Sequence, residues 1–505
     1  MTAHEYGRAD GTPPPGMQGT SPGPEPVYGS PAPAGSGPAP GNWPYGDTTG
    51  TTAGAAVGHP YGHSAGTPAE WPYDRAGAGR IPAQKTADAV SGTVPADTTD
   101  FADTTGPTGP TGGADAAGAE KKPAVPGRDR YLDLLRSIAL VRVVAYHLFG
   151  WAWLSVLFPS MGVMFALAGS LMARSLNRPA VSVIKSRVRR LLPPLWVFSA
   201  LMLGLLFLQG WSPAKDPDLG GRFWGPLSVF NYLVPVGAPP YPLSIGSESG
   251  WLENSWADQA AGPLWYLRAY LWFVVASPLL LWAFRRVPWA TLLFPLALTA
   301  VVGTGLVTIP GELGNAVEDF AVYGGCWVLG FAHHNGMLKQ IPRYAAVSGA
   351  AATMAFGLWW ASGHLGPDGW DLNDIPLAQA TWSFGIVVIL LQYSPSWQTL
   401  PGRLAKWDKL ITLSNNRAVT IYLWHNLLIM ATVPILDRAY DLPFMQSDRA
   451  SSWLDSTELF WQFVLVWPLI GLAILSVGWV EDLAAKRKPR LWPNGAKKKR
   501  AARAH

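Results

Sequence analysis

The chain has a single cysteine, Cys326, in 505 residues, which excludes an internal disulfide. It sits inside an apolar block, where a small side chain serves packing. No HExxH or CxxC occurs, and no apolar block carries a paired Asp/Glu cluster, so no metal signature is present. A glycine-rich nucleotide loop and a GxSxG turn are also missing, which removes two common enzyme patterns. Residues 1–126 have few large aliphatics and no periodic apolar pattern, as in "GTPPPGMQGTSPGPEPVYGSPAPAGSGPAPG". Such a segment buries too little surface to offset its ordering entropy, so a disordered arm is expected there. It has no charged stretch leading into an apolar one, so it does not read as a signal peptide.

From residue 128 the character reverses. Trp, Leu, Val and Phe come in blocks of roughly 18 to 23 residues, the length that crosses a hydrocarbon core. Only Trp43 and Trp71 of the 26 Trp lie in the arm, and many others fall near block ends, as in an interfacial belt. Ten spans are expected: 131–150, 152–173, 193–209, 264–284, 289–309, 317–334, 343–362, 376–394, 413–434 and 459–480. The blocks are too long for buried strands and do not alternate, so an all-α integral membrane bundle of about ten transmembrane helices is predicted.

Charge then orients the bundle. With the N-terminus inside, inner segments hold Lys121, Lys122, Arg128 and Arg130, then Arg174, Arg178, Lys185, Arg187, Arg189 and Arg190. Arg285, Arg286, Lys339, Arg343, Arg403, Lys406, Lys409 and the tail "KRKPRLWPNGAKKKR" complete the set, while outer segments contribute only Lys215, Arg222, Arg438 and Arg449. Positive-inside asymmetry therefore puts both termini in the cytoplasm. The expected organisation is a cytoplasmic arm over 1–126, a membrane domain over 127–483 and a basic cytoplasmic tail over 484–505. The tail reads as a topology anchor in contact with anionic lipid headgroups rather than nucleic acid.

Some residues do not belong in lipid. In "RSIALVRVVAYH", Arg136 and His147 are eleven residues apart, about three helical turns, so they share a face roughly 16 Å apart along the axis. Arg142 lies about 140° round from His147. Intramembrane ionisable groups normally face a bundle interior or a wet cavity. Two readings stay open: an imidazole hydrogen-bonded between helices beside a snorkelling Arg, or a polar pathway in which His147 moves a proton. A second imidazole, His425, stands in "NNRAVTIYLWHNLLIM". In "VIKSRVRRLLPPLW", Arg187 and Arg190 share a helical face, and Pro193 and Pro194 are expected to open the third span. Those guanidiniums are either topological or a grip for the phosphates of a nucleotide-like donor. Glu318 and Asp319 are expected as caps at the start of the sixth span.

These residues are similar to a known set. "RYLDLLRSIALVRVVAYH" resembles the opening of the membrane-bound acyltransferase family 3, whose first helix carries Arg, ten residues, then His. "GVMFALAGSLMARSL", "RVRRLLPPLW", "GPLWYLRAYLWF" and "TIYLWHNLLI" resemble later segments of that family, in its order, across about 128–480. Many sugar-modifying members carry a Glu-rich run in the fourth helix; this chain reads "WYLRAYLW" there, with Arg268 and Tyr270, which sets it in a different branch.

The resemblance implies transfer of an acyl group, often acetyl, from cytoplasmic acyl-CoA, with no permanently bound cofactor and no metal. The acceptor would be a hydroxyl of a glycan, a lipid-linked molecule or a small molecule at the outer face of the cell membrane. It implies His147 as general base or transient acyl carrier, Arg136 lining the donor channel and helping to bind the thioester or polarise its surroundings, and Arg187 and Arg190 on the donor's phosphates. His425, Arg142 and Arg268 would be acceptor-side or supporting residues. The rival reading is a transporter or flippase for an amphiphilic substrate, against which stands the lack of an internal repeat or of matched broken helices. A membrane scaffold acting through its arm gives buried Arg and His no role.

Overall fold

The computed structural model describes residues 129–214, 216, 219, 226–240, 242, 256–366, 368–445 and 447–495. The expected arm over 1–126, much of the outer loop 210–262 and the last ten residues of the tail lie outside them.

Ten helices of fifteen residues or more follow the ten apolar blocks in order. They are α1 (Arg130–Phe149), α2 (Ser160–Ser175), α3 (Ala180–Leu208), α4 (Leu264–Arg286), α5 (Pro288–Val302), α6 (Gly311–His334), α7 (Arg343–Ser362), α8 (Pro376–Gln392), α9 (Ala418–Tyr440) and α10 (Asp448–Ser476). Among the described residues, extended pairing is limited to one isolated bridge, Gly366 with Gly369. Five segments are long and apolar enough to cross a membrane: Trp153–Ser175, Ala180–Leu208, Trp256–Arg286, Ala418–Tyr440 and Asp448–Ser476.

Several boundaries depart from expectation for local reasons. The second block breaks into Trp153–Leu157 and α2, because Pro159 holds Phe158 in extended backbone at φ −152°. Pro193 and Pro194 do not open the third helix. α3 starts thirteen residues before Pro193 and runs through both rings, so the RVRR stretch is helical and its guanidiniums are fixed on faces. The carbonyls that the prolines leave without an i−4 partner belong to Arg189 and Arg190, where water reaches a partly or fully exposed turn. The ninth block divides at Arg417 into Asp408–Asn416 and α9.

Packing at the centre is closest between α2 and α6. A Cβ added at Gly169 would fall 2.2 Å from the Trp327 carbonyl oxygen, and one at Gly330 would fall 2.2 Å from that of Ala166. Backbone meets backbone there, the mode by which small residues hold helices together in lipid. Cys326 is buried at the same seam, with Sγ 3.2 Å from where a Gly162 Cβ would sit.

One end of the bundle is tied by polar contacts. Arg130 bonds Asp133 at 2.7 Å and Asp408 at 2.5 Å, and Asn415 Nδ2 donates to the Asp133 carbonyl and to Ser137 Oγ. After α10 the chain forms the short helix Trp479–Ala484 and returns to this end. Arg417, fully buried, meets Asp482 at 2.7 Å and also donates to the Arg490 carbonyl. Glu481 Oε1 accepts from the Thr420 amide at 2.7 Å and from its hydroxyl at 2.5 Å, satisfying donors of the first turn of α9 that no carbonyl can reach. The start of the basic tail is therefore folded against helices rather than only a charged anchor.

Candidate active site

His147 is the third residue from the C-terminal end of the twenty-residue α1 and is half-buried. His425, on α9, is fully buried. Folding brings their ring centroids to 4.9 Å, an approach that a separation of 278 positions conceals in the sequence. His425 Nδ1 lies 2.6 Å from the Tyr422 carbonyl, an acceptor only, so that nitrogen carries the proton. Nε2 is then a bare acceptor, buried and without a hydrogen-bond partner. A buried lone pair beside a second imidazole is costly unless a ligand or water completes it.

Aromatic rings lead away from this pair on both sides. Tyr422 is 5.6 Å from His425 and 4.9 Å from Tyr266, and Tyr266 is 6.4 Å from Tyr270. Tyr270 in turn lies within electrostatic reach of Arg190. Tyr266 and Tyr270 share a face of α4 because they are four residues apart. Arg136 is within electrostatic reach of Tyr266, and its Nη1 donates to Asn415 Oδ1 at 3.1 Å. The shared face of Arg136 and His147 read from their spacing is thus turned toward the tyrosines and α9.

On the other side, Tyr146 lies 5.5 Å from His147 and donates its hydroxyl to Asp371 Oδ2 at 2.5 Å. Arg142 stacks over the Tyr146 ring at 4.6 Å, while its Nε donates to the Leu154 carbonyl at 3.0 Å. Asp371 Oδ1 accepts from the Asn373 amide and side chain, and Gln379 Nε2 donates to Asn373 Oδ1. Gln379 Oε1 is buried without a partner. Asp374, in the loop before α8, is pushed up to about 7 by burial and then by the neighbouring Asp371 and Asp368.

The remaining expected site residues fall elsewhere. Arg187 Nη2 donates to Ser175 Oγ at 3.0 Å, and Arg190 is exposed one turn further on. Arg268 is 2 % exposed and bonds Asp319 at 2.8 Å, with Glu312 at 3.8 Å. It ties α4 to α6, and none of its ion-pair partners belongs to the imidazole pair. Asp319 is no cap: α6 begins at Gly311, so the carboxylate sits two turns inside and answers a buried guanidinium. An apolar cleft of about 220 Å³ lies between α4, α5 and α6, but neither imidazole lines it.

Sequence reasoning missed Tyr146, Tyr422, Tyr266 and Asp371. The first two were detectable as hydroxyls one and three residues from the imidazoles; Asp371, in a loop, carried no periodic signal. Arg417 and Asp482 had none either, since only folding joins them.

Apolar helices long enough to cross a membrane, around an interior that gathers two imidazoles, tyrosines and guanidiniums, define an integral membrane protein with a polar chemical centre. The family model described as "Acyltransferase domain" matches residues 129–480, so the chain belongs to acyltransferase family 3 and is a membrane acyltransferase. No curated protein and no solved structure matches the sequence.

Proposed function

We propose that the protein is a multi-pass O-acyltransferase of the cell membrane, with ten crossings and both termini cytoplasmic. It moves an acyl group, acetyl in the simplest case, from cytoplasmic acyl-CoA to a hydroxyl of a glycan, lipid-linked or small-molecule acceptor at the outer face. The observation that carries this reading is the imidazole pair, His147 beside His425, standing between a tyrosine line toward Arg190 and the Tyr146–Asp371–Arg142 cluster. One side suits a phosphate-bearing donor and the other a hydroxyl-bearing acceptor.

In this scheme Arg187 and Arg190 hold the phosphates of acyl-CoA, and its pantetheine thioester lies along Tyr270, Tyr266 and Tyr422. Arg136, beside Tyr266, lines the donor channel and helps to bind the donor. A ring nitrogen of His147 takes the proton of the acceptor hydroxyl as its oxygen attacks the carbonyl carbon. The C–S bond breaks, coenzyme A leaves as the thiolate, and the imidazolium returns its proton to that sulfur. His425 is a positioning residue whose ring fixes the orientation of His147. Arg142, Tyr146 and Asp371 form the acceptor side. The arm over 1–126 and the tail lie outside the catalytic domain in this reading.

Reconstituted full-length protein given labelled acetyl-CoA, with envelope glycoconjugates as acceptors, tests the proposal. Transfer of label that depends on His147 is expected. Movement of an amphiphile across the bilayer with no acylated product would refute the enzyme and favour a transporter. An acetyl mass trapped on the intact chain, absent in His147→Ala, would replace the general-base step with a covalent one.

A further inference from the structure

Four guanidiniums crowd the start of α3. Arg187, Arg189 and Arg487 are all within electrostatic reach of Arg190, and Arg487 comes from the C-terminal segment rather than from α3. Among the described residues, no ion pair or side-chain hydrogen bond engages Arg190 or Arg487, and both are exposed. Like charges gathered without a counter-charge oppose the fold, and a phosphate-bearing ligand relieves that repulsion.

Arg487 is not in this position through loose tail motion. Residues 479–495 are fixed by Asp482, which bonds Arg417 at 2.7 Å and Arg490 at 2.7 Å, and by Arg189 Nε donating to the Ala484 carbonyl at 3.3 Å. The helix Trp479–Ala484 then ends in a left-handed turn. The Lys486 amide bonds the Leu483 carbonyl at 2.9 Å and the Arg487 amide bonds that of Asp482 at 2.7 Å, a Schellman motif. The left-handed position, normally glycine, is occupied by Lys486 at φ 57°. It is the one non-glycine residue with positive φ among the described residues. A strained turn held by a buried ion-pair network and leading directly into Arg487 points to a placed side chain.

We propose that residues 479–495 are a built part of the donor site, with Arg487 supplying a further guanidinium to the phosphates of acyl-CoA beside Arg187 and Arg190. This rests on the reading of Arg187 and Arg190 as the donor's grip. It makes the C-terminal segment a substrate-binding element that truncation at the last membrane helix would remove.

The test uses the full chain in phosphatidylcholine nanodiscs, with acetyl-CoA as probe, read by titration calorimetry and steady-state transfer. Arg487→Ala is expected to raise Kd and KM about tenfold, with kcat within about twofold of the parent. Arg487→Glu weakens binding further, and Arg487→Lys recovers part of it by keeping the charge without the fork. With S-acetylpantetheine, which lacks the nucleotide phosphates, Arg487→Ala is expected to match the parent. Arg438→Ala, at the far end of α9 and exposed, serves as a charge control that leaves binding unchanged. Parent-like acetyl-CoA binding by Arg487→Ala beside weakened binding by Arg190→Ala would overturn the tail's role and leave the donor site standing. Parent-like binding by both would overturn the donor site itself. A loss seen only in nanodiscs containing phosphatidylglycerol would assign Arg487 to lipid headgroups and overturn the inference.

Discussion

If His425 acts only through His147, removing both imidazoles costs no more than removing that of His147 alone. The perturbation is a double-mutant cycle of His147→Ala and His425→Phe, the second keeping an aromatic ring at a fully buried position. A positioned general base is worth about 10²–10⁴ in rate, so His147→Ala is expected to lower kcat by that range, or about 3–5 kcal/mol. The His425 ring lies 4.9 Å from that of His147 and is itself held by the Tyr422 carbonyl, so its share is one orienting contact. That share is about 1–2 kcal/mol, a loss of roughly 5- to 30-fold. In the double variant the orienting term has nothing left to orient, and the rate is expected to equal that of His147→Ala. Initial rates of labelled acetyl transfer in proteoliposomes measure all four corners, with thermal unfolding confirming that each variant is folded. Multiplicative losses in the double variant would refute the coupling, and full activity in His147→Ala would refute the site.

Other outcomes are equally specific. Tyr146→Phe removes the donor to Asp371 and is expected to raise the acceptor KM about tenfold while leaving the acetyl-CoA KM unchanged, measured by varying each substrate in turn. Arg268→Met leaves Asp319 without its guanidinium, so a stability loss of about 3–5 kcal/mol is expected in detergent unfolding, with kcat of the folded fraction preserved. Gly169→Ala forces a Cβ to 2.2 Å from a backbone oxygen, and thermal unfolding is expected to show a loss of about 1–3 kcal/mol or more. Glu481 is pushed up from 4.5 to about 7, chiefly by burial, so the folded chain holds its proton longer than the unfolded one. Its contribution to stability is present below pH 4.5 and lost as pH rises to about 7. Glu481→Gln is therefore expected to gain on the parent across that window, by up to about 3 kcal/mol, reduced by the carboxyl's partial contact with solvent. A difference in melting temperature that does not change with pH would contradict this.

The linear chain already determined the ten long helices, because an apolar block in lipid has one way to satisfy its backbone within itself. It also made Arg136 and His147 legible as one face, since helical periodicity converts eleven residues into three turns. Even Arg187 and Arg190 could be paired from spacing alone. Where α3 begins was not legible, because Pro193 and Pro194 read as a start and the solvated turn before them tolerates the lost bonds. Only the tertiary structure set His425 against His147, answered Arg268 with Asp319, and buried Arg417 on Asp482. Those contacts join residues dozens to hundreds of positions apart on helices whose azimuths are fixed by packing, as where Gly169 and Gly330 let α2 and α6 meet. Periodicity says which residues share a face of one helix; which helix that face meets is decided by the shape of all the others.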